Sequence, residues 1–497
     1  MKKFFSLLFS AIFLLFSTIS LSGCSKNELD KVSKNLTSYA ISAELDENMQ
    51  IFGTEKIVFV NSTGDSLDHV CLHLYPRAFR EGATVKPYTT LNEATCFPKG
   101  VSFGDIAIEK VSVNGSVKTV DLVGFDNDIL KIDFGFKLSP KKTVEIVIDF
   151  VIKIPNSTHR FGWFDSNINL GNWYPVVCKY INGEFEMTPY YATGDPFFSD
   201  IANYSVEFVF PSKYKLCSTG EINLSKNAEK NTAKISAKAV RDFAMCLSSN
   251  AEIKTEKTGG TKVVYMGYSE DKNTEKYLRI AKEALEYFNE LFGKYPYSTL
   301  TVAKTPFVYG GMEYPGLVFI SDAVDDEDEY LKVIVHEIAH QWWYGVVGND
   351  EVNEAWLDET LAEYSTALFF DEFSGYGIRY DEFVADALSS YLLYVDVIST
   401  LRGDVNTKMN LPVNEYQNDY EYSYMVYVKG VIMFDSLSQM VGKKKIVQGL
   451  KKYYAENKFK IANKTRFFDA FKSACHKDLE KFFEGYLNGT TIISSLN

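Results

Sequence analysis

The chain has 497 residues, 46% hydrophobic and 15% aromatic, which is ample for two or three packed cores and too long for a single domain. Its net charge of −13, with no basic stripe, argues against a nucleic-acid partner, because phosphate binding needs clustered Lys and Arg. A neutral or cationic partner suits it better.

At the N-terminus, Lys2 and Lys3 precede an apolar run over residues 4–19 and then Leu21-Ser22-Gly23-Cys24. The run is short and ends in small residues, so it reads as an export signal and not as a membrane span. The Leu-Ser-Gly-Cys ending resembles the bacterial lipoprotein signal. That resemblance implies removal of residues 1–23, lipidation of Cys24, and an exported protein anchored to the bacterial cell membrane. Residues 24–37 are polar and read as a tether. The other cysteines, Cys71, Cys96, Cys178, Cys217, Cys246 and Cys475, show no regular spacing. They are expected as small buried side chains, with any pairing left open.

From residue 38 to 255 the pattern has period two. Val144, Ile146, Ile148, Phe150, Ile152 and Ile154 share one face, and the run stops at Pro155. Similar runs occur over residues 51–60, 129–134 and 204–210, with Asn-Gly turns at Asn114-Gly115 and Asn182-Gly183. These predict an N-terminal all-β domain. His69, His73 and His159 fall in it and read as packing or surface residues.

Near residue 270 the period changes to three and four. Tyr277, Ile280, Ala281, Ala284, Tyr287, Phe288 and Leu291 predict a helix closed by Gly293 and Pro296. Short strands over 300–303 and 317–320 flank the loop Tyr309-Gly310-Gly311-Met312-Glu313-Tyr314-Pro315-Gly316. By composition that loop is a tight turn with a surface acid. Beyond Phe373 the pattern is helical to the end. The division expected is an α/β domain over 256–440 and a helical segment over 441–497.

The chemistry lies in His336-Glu337-Ile338-Ala339-His340. On a helix, positions i and i+4 share a face, so His336 and His340 can offer two imidazoles to one Zn²⁺ while Glu337 faces the water to be activated. The acidic run over 325–329 favours the positive end of a helix dipole and marks the helix start. A third ligand is needed, and the segment from Asn353 to Tyr364 offers several carboxylates that spacing alone does not separate.

HExxH, eighteen residues, then Glu within Trp-Leu-Asp-Glu resembles the gluzincin metallopeptidases, specifically the aminopeptidase N family. The resemblance picks Glu359 as third ligand and implies a thermolysin-like catalytic domain holding one zinc per chain. Gly310-Gly311-Met312-Glu313 is similar to that family's Gly-x-Met-Glu-Asn loop, whose glutamate holds a substrate's free amine. Tyr314 stands where the family has Asn. Four tyrosines crowd residues 420–427, and Tyr427-Val428-Lys429-Gly430 is similar to the family's Tyr-x-Lys-Gly segment, which implies Tyr427 as the oxyanion donor. Glu363, one turn after Glu359, is either an orienting group for a ligand histidine or a solvated helix acid. The family's β domain usually adds a Gln or Glu to the amine site, and no residue of this sequence could be matched to it.

The implied whole is a multidomain α+β protein: a lipid-anchored zinc aminopeptidase acting on peptides with a free N-terminal amine. The rivals are an endopeptidase or an epoxide hydrolase on the same scaffold, and a non-catalytic surface-binding lipoprotein with a structural zinc. Structural zinc sites usually fill all four positions with Cys or His, which counts against the last.

Overall fold

In the computed structural model, which describes residues 28–494, the alternating half of the chain forms an eight-stranded sheet and two four-stranded sheets. The large sheet runs Glu221–Ser225, Lys230–Val240, Ala202–Pro211, Ser38–Leu45, Gln50–Val60, Thr143–Lys153, Asp105–Val113, Ser116–Lys118. Its neighbours are antiparallel except Ser38–Leu45, which lies parallel to Ala202–Pro211. Along Thr143–Lys153 the residues Val144, Ile146, Ile148, Phe150 and Ile152 are buried and their alternates are not. Each such side chain contributes about 1.5–3 kcal/mol by leaving water. Both Asn-Gly pairs have two positive φ angles, 49° and 80° at Asn114 and Gly115, 53° and 92° at Asn182 and Gly183. That geometry makes type I′ turns, whose twist matches the strands they join.

The second half is built on a five-stranded sheet in the order Ala251–Thr258, Thr261–Tyr268, Thr299–Thr305, Leu317–Ser321, Gly311–Met312. Its first strand pairs along its whole length with the second, so the expected division at 255/256 cuts through a hairpin of this sheet. Alternation identifies a strand but not the sheet it joins. Against the sheet lie helices α1 (Thr274–Leu291) and α2 (Glu327–Ala339), and α3 (Trp356–Glu372) packs on α2. Next come α4 (Tyr380–Arg402) and a short helix Asp419–Ser423. A π-helical turn, Tyr424–Val428, then leads into α5 (Lys429–Val441). Helices α6 (Lys443–Asn457), α7 (Lys464–Cys475) and α8 (Glu480–Leu487) complete the described chain.

The parts are tied by buried polar links. Arg241 donates from Nη1 to the Ser199 carbonyl (2.9 Å), from Nε to Tyr344 (3.0 Å) and from Nη2 to Lys460 (3.1 Å). A Cβ at Gly348 would sit 2.3 Å from that guanidinium, which is why a glycine stands there. The stretch expected as a tether is docked from Glu28 onward. Residues 28–32 are helical, Asp30 pairs with Lys238 (2.9 Å), Glu28 pairs with Lys458, and the Ser33 carbonyl accepts from Asn203 Nδ2 (2.8 Å). Polar side chains here serve anchoring. The apolar run expected as an export signal, and Cys24, lie outside the described residues. Cys71, Cys96, Cys178, Cys217, Cys246 and Cys475 are free thiols, all but Cys475 buried.

Candidate metal and active site

Helix α2 starts as its acids imply: the Asp326 carboxylate caps it by accepting from the Glu329 amide (2.9 Å). Its last turn carries His336 and Glu337, and His340 follows as C-cap while still in helical conformation, with φ −59°. The i, i+4 face therefore survives to its end. Helix α3 brings Glu359 and, one turn later, Glu363.

His336 Nε2 and His340 Nε2 are 3.0 Å apart, and Glu359 Oε2 lies 3.3 Å from the first and 3.1 Å from the second. Three donors on a zinc ion at about 2.0–2.1 Å with tetrahedral angles would be about 3.3 Å apart, so the donor set fits that metal. The ring orientations agree with this. His340 Nδ1 faces the Trp343 carbonyl at 3.0 Å, an acceptor only, and His336 Nδ1 faces Glu363 Oε2 at 2.7 Å. Both Nδ1 atoms therefore carry the proton, and both Nε2 lone pairs are left for a cation. Glu363 is the orienting group and not a solvated acid.

The electrostatics favour a positive guest. Burial works against charge on His340, but Glu359 and Glu313 outweigh it and favour a positive charge at this imidazole, which a bound cation would supply in place of a proton. Burial likewise opposes the charged form of Glu359, and His340 and His336 overcome it, keeping that carboxyl well below its usual range. Glu337 is pushed up to about 7, chiefly by burial, against the pull of His336 and His340.

A cleft of about 610 Å³ opens over these groups. Gly310, Gly311 and Glu313 line it, as do Glu337, Tyr427 and the three metal-type donors. Gly311–Met312 is the edge strand of the sheet, antiparallel to Leu317–Ser321. A Cβ on Gly311 would lie 2.2 Å from Glu337 Oε1, so only glycine lets the strand and the glutamate approach. Strand alternation turns Met312 away from the cleft; it is buried behind the wall, where its sulfur accepts from Arg160 Nε (2.9 Å). Glu313 is buried, and its Oε1 has no hydrogen-bond partner among the described residues.

Tyr427 sits on the π-helical turn with its ring stacked on His336, centroids 5.6 Å apart and planes 18° from parallel. Tyr422 also lines the cleft. Tyr420 is exposed and Tyr424 stacks on Tyr394, so neither faces the site. His73 stacks on Tyr75, His69 meets Asp68, and His159 is buried among aromatic rings, all apart from the metal-type cluster.

Two residues in the wall escaped the sequence reading. Asp195, from the β-rich half, has a carboxylate oxygen within 4.8 Å of oxygens of both Glu313 and Glu359. It pairs with the buried Arg160, whose guanidinium lies over Tyr309 (4.9 Å) and Phe197 (5.6 Å). Neither belongs to a local pattern. The fold alone brings them to the HExxH helix.

The architecture and this donor set define a protein of β-rich and α/β parts built around a His-His-Glu metal centre. Residues 277–486 match the Peptidase family M1 domain. It is 25% identical over 395 residues to leukotriene A-4 hydrolase of Xenopus laevis, spanning 77% of this chain and 61% of that protein. It is 24% identical over 415 residues to aminopeptidase N of Lactobacillus helveticus, spanning 77% of this chain and 48% of that protein. The chain thus spans about half to three-fifths the length of these relatives. The M1 zinc metallopeptidase of Deinococcus radiodurans shares the fold, with a TM-score of 0.65, 15% identity, and coverage of 92% of this chain and 94% of that one. A mutant of that protein bound to a Tyr-Ser-Ala substrate superposes with a TM-score of 0.63.

Proposed function

We propose that this protein is a zinc aminopeptidase that removes N-terminal residues from peptides. One zinc per chain would be held by His336, His340 and Glu359. When bound, zinc supplies a Lewis acid that acidifies water and polarises the scissile carbonyl. Glu337 accepts the water's proton and passes it to the leaving amine. Tyr427 donates its hydroxyl to the oxygen on which charge develops, from its place against His336. Glu363 and the Trp343 carbonyl keep the two imidazoles turned so that Nε2 faces the metal.

The observation that carries this reading is the pair of carboxylates, Glu313 and Asp195, within 4.8 Å of the metal-type donor Glu359. An ammonium held by Glu313 and Asp195 is separated from its own carbonyl by a single Cα, so the first peptide bond falls at the metal. An endopeptidase would need open cleft where these two acids stand. The bound tripeptide in the Deinococcus mutant supports peptides as the substrate class. The exported, lipid-anchored location through Cys24 rests on the leader alone.

The test is hydrolysis of a panel of amino-acid amides by purified protein, with and without chelator. The reading requires activity that chelator removes and zinc restores. Cleavage of internal bonds in blocked peptides at equal rate would overturn it.

A further inference from the structure

The loop that carries Glu313 is fastened on two sides. From the turn that follows the HExxH helix, Gln341 accepts from the Gly316 amide (2.7 Å) and donates to the carbonyls of Glu313 and Tyr314 (both 3.3 Å). From the β-rich half comes a second fastening, and its key is Tyr314. This side chain is fully buried and does not line the cleft, so it does not touch a substrate there.

Its hydroxyl donates to Asn172 Oδ1 (2.9 Å), and Asn172 Nδ2 donates to Asp242 Oδ2 (3.0 Å). Asp242 Oδ1 in turn accepts from the Phe243 amide (2.6 Å) and the Tyr174 hydroxyl (3.3 Å). The chain of bonds thus ends in backbone of the β-rich half. Shape adds to it. A Cβ on Gly171 would lie 1.9 Å from the Tyr314 hydroxyl oxygen, so Gly171 is a notch that admits the ring. Asn172 holds a left-handed φ of 51°, a conformation Asn tolerates better than most residues.

Such a clamp has work to do. Glu313 shares a small space with Asp195 and Glu359, carboxylate oxygens all within 4.8 Å of one another, so a small displacement of its loop changes what stands beside the metal-type donors. One of its own oxygens has no hydrogen-bond partner among the described residues. Its carboxylate is therefore held through the loop's anchors, and a shift of about 1 Å in such a group is enough to cost much of its effect.

We propose that Tyr314 is a positioning residue. Seated in the Gly171 notch and bonded through Asn172 to Asp242, it sets the place of the Glu313 carboxylate and makes recognition of a substrate's free ammonium depend on the β-rich half. This rests on the aminopeptidase reading.

The test uses zinc-loaded full-length protein, with kcat and KM for a free-amine dipeptide and its N-acetylated form, zinc content, and Tm. Tyr314→Phe removes only the hydroxyl and should raise KM for the free amine about tenfold, with kcat altered less than about threefold and zinc content unchanged. Asn172→Gly keeps the backbone conformation available, removes the same link, and should reproduce that split. In a double-mutant cycle, Tyr314→Phe should add nothing to Glu313→Ala, because a positioning residue has no effect once its charge is gone. An unchanged KM in both variants, or effects that add, overturns the proposal while leaving the aminopeptidase reading intact. A parent enzyme indifferent to acetylation overturns both.

Discussion

The two walls of the cleft are made differently. On the helical wall, His336, Glu337, His340, Glu359 and Glu363 come from two consecutive helices, so one turn of spacing decides which side chains meet. On the β side, Arg160 and Asp195 line the cleft while Asn172 and Asp242 hold Tyr314 away from it, and these residues come from separate segments that meet only through the fold. The metal-type half of the site is therefore a local device and the opposite wall a tertiary one. It follows that changes in the helices should remove chemistry, and changes in the β-side wall should alter stability and selectivity.

The largest expected effects fall on the helical wall. His336→Ala, His340→Ala or Glu359→Ala should lose both metal and activity, measured as zinc per chain and amide hydrolysis. Glu337→Gln should keep the metal and lower kcat by roughly two to four orders of magnitude, since it removes only the proton acceptor. Full activity in that variant would break the comparison at its stronger side.

Next comes the β-side wall. Arg160→Met leaves Asp195 buried without its partner, which costs about 3–5 kcal/mol and should appear as a lower denaturant midpoint with zinc binding retained. A variant as stable as the parent would mean that the pair does not hold this wall. A smaller effect is expected at Glu363→Ala, where His336 loses its orienting carboxylate. Zinc affinity should fall by about 10–100-fold, read by competition with a chelator.

The smallest effect is in pH. Lys429 is buried, and burial pushes its ammonium down to about 8. Between about 8 and its ordinary value near 10.4 the unfolded chain binds more protons than the folded one, so folding stability from this group rises with pH across that window. Lys429→Met should lack that rise, which denaturation midpoints from pH 7.5 to 10 would reveal. Its Nζ also donates to the carbonyls of Thr407 (2.5 Å) and Tyr486 (2.8 Å), so the variant loses two hydrogen bonds at every pH.

What could be read beforehand follows the same division. Strands with a buried face, the Asn-Gly hairpins and the HExxH helix are written in local periods, and they stand where the periods put them. Glu363 was ambiguous because a sequence does not say which helix face is covered. Tyr422 and Tyr427 both reach the cleft because a π-helical turn shifts the side-chain register of that segment, and no local signal marks the turn. Asp195 and the Tyr314 clamp were invisible for a plainer reason: each depends on partners more than a hundred residues away.

The central claim is that two carboxylates opposite the metal donors select a free ammonium. The most direct measurement is the ratio of kcat/KM for one short peptide with a free N-terminus to that for the same peptide N-acetylated, on zinc-restored protein. A charge-assisted hydrogen bond to the ammonium is worth about 1.5–3 kcal/mol, so the free peptide should be preferred by roughly ten- to a hundredfold, and Glu313→Ala should erase most of that preference. Equal cleavage of the two forms by the parent enzyme would contradict the account.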